Sequence, residues 1–502
     1  MLPLKLEWEP WYCHDSELEP GQRVRVAFAG RRYVAVVSEV NGTPDIDRKR
    51  IQRIVSVEDG LERISVGEIE FWRFIASYYL CTVGEVYKAA YPATLVSAEE
   101  RKSHRVKDMD LEAGNPHLDA VQKKLTIRVL DSFVDHKPVL LCHSDRRAVY
   151  EALAKRYNED GKDVLVLSPS AARLSYPQQR ELAKRLRSAD PCTLRLGKSA
   201  IFLPFTKLGL VIIDEEQSPY YKQEAQAPRF NGRDAGIALA QLHGADVLLG
   251  STCPSLESRV NASAGKYSLV SVGSDKVFTP ELIDSTAEFR KNGMSGSFSR
   301  LMLSAMRETF ESGGKVLVLV PWKDTRDIEI EARAIFPEVR TKLAVQCLKD
   351  GMDCSKYSLV CLVRAEYLLS RTGFRADERS RQILDSLYSS CRGRFIVQTN
   401  DISHPVWSVN SDEEFFGRLI DERKELGYPP FSRMLELSVN DRNAERQARM
   451  SSELVRRLGS LQFFFRKDRS LSSNKAAVAV KVAEFEKEKK YVGHIVVDVD
   501  PE

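Results

Sequence analysis

Three carboxylates in a row, Asp214-Glu215-Glu216, followed by Gln217, close the apolar run Leu210-Val211-Ile212-Ile213. A short apolar run of this kind reads as a buried strand of a parallel sheet, whose two faces are covered by helices. Open α/β sheets hold their ligands at the carboxyl ends of such strands. In nucleoside triphosphatases an Asp at this place, the Walker B position, holds the magnesium. A strand end whose acids simply face water has the same appearance, and the run taken alone favours that plainer reading.

The residues downstream change the weighting. Tyr220-Tyr221-Lys222-Gln223-Glu224, Pro228-Arg229-Phe230-Asn231-Gly232-Arg233-Asp234 and Gly250-Ser251-Thr252-Cys253-Pro254-Ser255-Leu256-Glu257-Ser258 follow in order. With the acidic run they resemble the helicase core of the PriA family (primosomal protein N′), superfamily-2 DNA helicases of replication restart. That family reads DEEH, YKQEE, PRY-x-x-RD and GSATPSLES; here its His is Gln217 and its Ala-Thr is Thr252-Cys253. The resemblance implies Asp214 and Glu215 as a catalytic, Walker B-like pair, Gln217 as a nucleotide-binding residue and Lys222 as a DNA-binding one. It implies Mg-ATP as the cofactor.

A triphosphate needs more than acids. Glycines must let backbone N–H groups wrap the phosphates, a Lys must reach them, and a Ser or Thr must hold the magnesium. The family supplies GVTGSGKT after its first lobe strand. Here the interval is Cys142-His143-Ser144-Asp145-Arg146-Arg147-Ala148, three residues shorter, with no glycine and no lysine. Arg146 stands near the Lys position and Ser144 near the metal-holding one. Residues other than glycine resist the positive-φ turns that phosphate wrapping uses, and Asp145 repels a triphosphate. The family's QVAGRAGR arginines, which reach the γ-phosphate, fall on 386–394, where Arg392 substitutes only with a register shift. Eight paired zinc cysteines of the family have no counterpart after the strand at 316–320, which runs through Pro321-Trp322-Lys323-Asp324 instead. No zinc is expected.

The elements that must position these groups are legible. Arg23-Val24-Arg25-Val26-Ala27-Phe28 alternates as a half-buried strand does. Strands at 33–37 and 51–57 complete a small barrel-like domain, with Gly30-Arg31-Arg32 as a turn. Pro20-Gly21-Gln22-Arg23-Val24-Arg25-Val26 resembles the PriA 3′-DNA-binding domain, and 61–92 its closing helix. In the family this domain holds a 3′ end at a fork, so Arg23, Arg25, Arg31, Arg32, Gln52 and Arg53 are assigned to DNA. On charge alone, a solvated sheet face explains them equally well. Phe71, Phe74 and Tyr78 form a helical stripe that reads as core. A family glycine is Ala35 here.

The fold class expected is α/β: a small N-terminal β-barrel-like domain (1–96), a linker without winged helix (97–117), two RecA-like doubly wound parallel-sheet lobes (118–275 and 276–400), and an α+β C-terminal domain (401–502). Phe374-Arg375-Ala376-Asp377-Glu378-Arg379 resembles the family's FRA-x-ER, Tyr428-Pro429-Pro430-Phe431 its YPPF, and Asp498-Val499-Asp500-Pro501 its DVDP.

The 502 residues carry 43% apolar residues, a net charge of +4 and nine scattered cysteines without a C-x-x-C pair. This fits a reduced cytoplasm, with no membrane span and no signal peptide. The leading reading is a PriA-like fork-binding protein that has lost ATP-driven unwinding. An active 3′→5′ helicase with a divergent nucleotide site is the alternative, and a primosome scaffold without DNA binding the second. Implied partners are replication forks and single-strand/duplex junctions, with primosome proteins, single-stranded DNA-binding protein and the replicative helicase loader beside them.

Overall fold

The computed structural model describes residues 1–44, 46–92, 117–171, 174–187, 190–271, 278–339, 341–349, 351–370, 373–407, 412–488 and 494–501. Apart from its last residue, the linker expected at 97–117 lies outside the described residues.

In the N-terminal region Arg23–Phe28 pairs antiparallel with Arg31–Val36. Ala29 and Gly30, both at positive φ, make the two-residue turn whose twist matches such a hairpin. The single strand expected at 51–57 is split. Gln52–Arg53 pairs in parallel with Tyr12–Cys13, whereas Ser56–Val57 pairs with the middle strand. The segment changes partner at Ile54, whose amide donates to Cys13 while that of Val55 donates to Arg25.

The closing helix is likewise two helices, Val66–Tyr79 and Val83–Ala90. Ser65 with Glu68, and Thr82 with Glu85, form a capping box at each start. Leu80, in the left-handed conformation, ends the first helix. Phe71 faces the core as expected, but Phe74 is 43% exposed.

Two parallel sheets follow. The first orders its strands Ser268–Ser271, Val139–Cys142, Asp246–Ser251, Leu208–Asp214, Asp163–Leu167 and Thr193–Leu196. The second orders them Glu281–Asp284, Arg394–Thr399, Leu359–Leu362, Val316–Val320 and Leu343–Cys347. In each, central strands are buried on both faces, which is why they read as unbroken apolar runs. The C-terminal region is an antiparallel sheet, Gln462–Arg466, Ser432–Asn440 and His494–Val499, with helices Ala444–Leu458 and Leu471–Glu488. No helix among the described residues is long and apolar enough to cross a membrane.

Candidate functional site

Asp214 ends its strand, and Glu215 takes φ +50. A left-handed residue at this point reverses the chain, so consecutive carboxylates diverge. Asp214 and Glu215 face the loop that follows the first strand of the sheet, while Glu216 turns inward.

The loop answers them with its own charge. Arg146 is buried, and one guanidinium nitrogen hydrogen-bonds Asp214 Oδ1 at 3.1 Å and also Glu215 Oε1. Its Nε donates to the Tyr150 hydroxyl at 3.0 Å, and that hydroxyl donates to Asp214 Oδ1 at 3.1 Å. Nη1 donates to the His143 carbonyl at 2.5 Å. Arg195 lies 3.7 Å from the other Asp214 oxygen. Two guanidiniums thus face two carboxylates. Burial works against the charge on Arg146, but Tyr150, Glu215 and Asp214 outweigh it and hold the guanidinium firmly protonated. Gly250 makes the fit possible: a Cβ there would lie 1.7 Å from the Tyr150 oxygen and 3.1 Å from Arg146 Nε.

Of the other nucleotide residues expected, Ser144 is exposed on the loop. Gln217 is buried, donating to Glu215 Oε2 at 2.6 Å and accepting from Ser251 Oγ at 2.6 Å. Arg392 is not at the site. The helix Ala376–Ser390 meets the first lobe through its N-terminal end, where Glu378 accepts from the Leu256 amide at 2.9 Å. Arg392 follows the opposite end, roughly 20 Å away for a helix of 15 residues. Arginines that do cross between lobes stand at the start of that helix: Arg379 is hydrogen-bonded to the Gln217 carbonyl, and Arg375 pairs with Glu257.

Glu216 belongs to a second centre. It accepts from the Ser255 amide at 2.7 Å and from Arg233 at 3.0 Å. Around it Arg375 pairs with Glu257 at 2.8 Å, Arg423 with Glu378 at 2.6 Å, and Arg433 with Asp500 at 2.9 Å. Burial pushes Glu257 up, but Arg375, Arg233 and Arg423 together hold its carboxyl well below the usual range. The motifs quoted above from residues 228–234, 250–258, 374–379, 428–431 and 498–501 therefore meet in one charged junction of both lobes and the C-terminal sheet. That these stretches pair with one another is not legible in their residues, because the partners lie far apart in the chain.

The residues expected to contact DNA divide sharply. Arg31, Arg32, Gln52 and Arg53 are exposed, Arg53 paired with Asp15. Arg25 is bound by both Glu58 oxygens, and Arg23 is buried with its guanidinium 4.1 Å from the centre of the Tyr91 ring. Lys222 does not reach solvent: its ammonium donates to the Arg229 and Val499 carbonyls and pairs with Asp498 at 2.6 Å. It ties the first lobe to the C-terminal sheet from a fully buried position. Beside Gln52 and Arg53 lies a cavity of about 560 Å³, lined by Tyr12, Cys13, Val24, Val26, Ala35 and Ile54 among others.

A small β domain with exposed arginines thus accompanies two parallel-sheet lobes, the first with carboxylates at a strand end. The 3′DNA-binding domain (3′BD) of PriA matches residues 9–92. Replication restart protein PriA of Rickettsia conorii is 28% identical over 574 aligned positions, covering 88% of this chain and 86% of that protein. That of Rickettsia felis is 26% identical over 335 positions, covering 60% of this chain but half of that protein's length. Among solved structures, Dbp5 of S. cerevisiae bound to RNA and ADP BeF3 covers 60% of this chain and 92% of that one at 14% identity and TM-score 0.36, too low to add to the sheet topology itself. The chain is PriA-like, with a 3′-DNA-binding domain and a helicase-like fold.

Proposed function

We propose that this PriA-like chain binds forked DNA in replication restart and has given up ATP-driven unwinding. The observation that carries this is Arg146 bonded to both Asp214 and Glu215. The seat as built does not fit Mg-ATP. A guanidinium already sits on the acids that would hold the metal, and the loop has neither the glycines nor the lysine that wrap a triphosphate. Asp214 and Glu215 serve the fold rather than a reaction.

DNA contact is assigned to Arg31, Arg32, Gln52 and Arg53, with the neighbouring cavity as the seat of a strand's 3′ end. Arg23 and Arg25 support that face from beneath. The domain limits given above (1–96, 118–275, 276–400 and 401–502) and a place in the cytoplasm beside other primosome proteins belong to the same reading.

The test is binding of a fluorescent ATP analogue with magnesium, with and without a fork bearing a free leading-strand 3′ end. Fork binding that weakens steeply with salt, without nucleotide binding, is expected. DNA-stimulated ATP hydrolysis abolished by Asp214→Asn would sink the proposal. It would restore the alternative of an active helicase with a divergent site, which the Arg379–Gln217–Glu215 relay from the second lobe to the seat favours.

A further inference from the structure

The charged junction closes around a small cavity. It lies where the first lobe, the start of the helix Ala376–Ser390 and the C-terminal sheet meet, and its volume is about 20 Å³. That is room for one occupant of water size.

The charges lining it do not balance. Four carboxylates, Glu216, Asp234, Glu257 and Asp500, are each held within 3.0 Å by one of three arginines, Arg233, Arg375 and Arg433. Two further cations line the same space. Arg379 comes from the second lobe, and Lys467 follows the strand Gln462–Arg466 of the C-terminal sheet. Five cations thus face four carboxylates. Lys467 makes no hydrogen bond or ion pair among the described residues. Although this lysine stands at the surface, partial burial of its ammonium and the neighbouring Arg433 outweigh the attraction of Asp500, Glu257 and Asp234 and push it down to about 8. Its charge is therefore held where it is disfavoured. In the same lining, the Ser432 hydroxyl is buried and has no hydrogen-bond partner among the described residues.

A water molecule would satisfy the hydroxyl but leave the surplus charge. An anion answers both, because it accepts from an ammonium and a hydroxyl and supplies the missing negative charge. The volume suits a single atom better than a carboxylate or a tetrahedral oxyanion. We propose that this cavity binds one monatomic anion, chloride, facing Lys467 and the Ser432 hydroxyl, and that the ion fastens the C-terminal sheet to both lobes. The proposal uses none of the residues assigned to DNA, so it stands or falls apart from the proposed function.

The full chain is unfolded by urea in potassium chloride and in potassium gluconate at equal ionic strength, which keeps screening the same. An ion that binds only the folded chain raises its stability by mass action. The urea midpoint should therefore climb with chloride and level off. Ser432→Ala and Lys467→Met should each lose that chloride-dependent rise. Ser432→Ala removes a hydroxyl with no partner in the protein, so it keeps the fold and its midpoint in gluconate even where Lys467→Met does not. Broadening of the chloride NMR resonance by the wild-type chain, reversed by bromide and lost in the same variants, reads the binding directly. A chloride-dependent rise equal in the wild type and both variants, or none in the wild type, overturns the inference and leaves water in the cavity. Displacement of chloride by sulfate as readily as by bromide overturns the monatomic form.

Discussion

The acidic strand end, hereafter the seat, and the charged junction begin at neighbouring residues, yet they are built on opposite terms. At the seat Asp214 and Glu215 are answered from within one lobe, by Arg146 and Arg195, and stay 16% and 22% exposed. At the junction Glu216 and Glu378 are almost wholly buried, and Glu378 is answered from another part of the chain by Arg423. The positive φ of Glu215 separates the two. A partly wet carboxylate tolerates exchange of its partner. A buried one depends on a particular partner, because an uncompensated charge there is strongly unfavourable. The loop facing the seat departs from the PriA pattern, whereas most of the stretches that resemble PriA closely meet in the junction.

That contrast is broken most severely at Arg423. Arg423→Ala leaves Glu378 buried with only Arg375, 4.0 Å away, to answer its charge, and should destabilise the chain by about 3 kcal/mol, read from the urea midpoint. Gly250→Ala attacks the seat by volume. The new Cβ displaces the Tyr150 hydroxyl and with it Arg146, which should cost about 1–3 kcal/mol. Arg146→Ala removes the guanidinium together with its hydrogen bonds to Tyr150 and the His143 carbonyl. With its carboxylates partly exposed, the expected loss is about 1–2 kcal/mol. Millimolar magnesium should restore part of this in the variant and add nothing to the wild-type chain. Equal magnesium stabilisation of both proteins would mean that Arg146 does not hold the acids.

Acid should reach the junction through Glu257. Its pKa is depressed in the folded state, so its contribution is fully present above the unfolded value near 4.3 and is lost as pH falls below it. In Glu257→Gln the acid limb of the stability–pH curve should be shallower. Smallest in stability is Arg53→Ala, an exposed pair with Asp15 whose loss should leave the melting temperature unchanged. The same change should lower the salt slope of fork binding by about one, which would show the N-terminal rim acting on DNA without acting on the fold.

The central strands and the existence of the N-terminal hairpin were legible before any coordinates, because apolar runs and turn chemistry are local properties; the turn itself, expected at Gly30-Arg31-Arg32, is Ala29-Gly30, with Arg31 and Arg32 already in the second strand. The edge strands Thr193–Leu196 and Ser268–Ser271 were not, since a sheet edge carries polar residues that blur the pattern. The break at Leu80 was hidden inside continuous helical periodicity, although Thr82 and Glu85 marked the second start. Arg146 was noticed as a stand-in for a lysine. That it reaches across the adjacent strand to Asp214 and Glu215 depends on the strand order, which brings residues 68 and 69 positions apart together.

Lys222 and Arg392 show the same limit from the other side. Lys222 carries a charge that the resemblance assigns to DNA. The fold instead buries it against Val499 and Asp498, nearly three hundred residues along the chain. Arg392 lies in the expected interval, but a rigid helix sets it far from the seat. What the sequence by itself determined is the set of local elements and the glycine content of its loops, because periodicity, capping and glycine content act over a few residues. Which charges meet, which are spent inside the fold and which remain for a ligand was decided only by the tertiary structure, since the energy of a charge depends on its burial and on partners brought from distant parts of the chain.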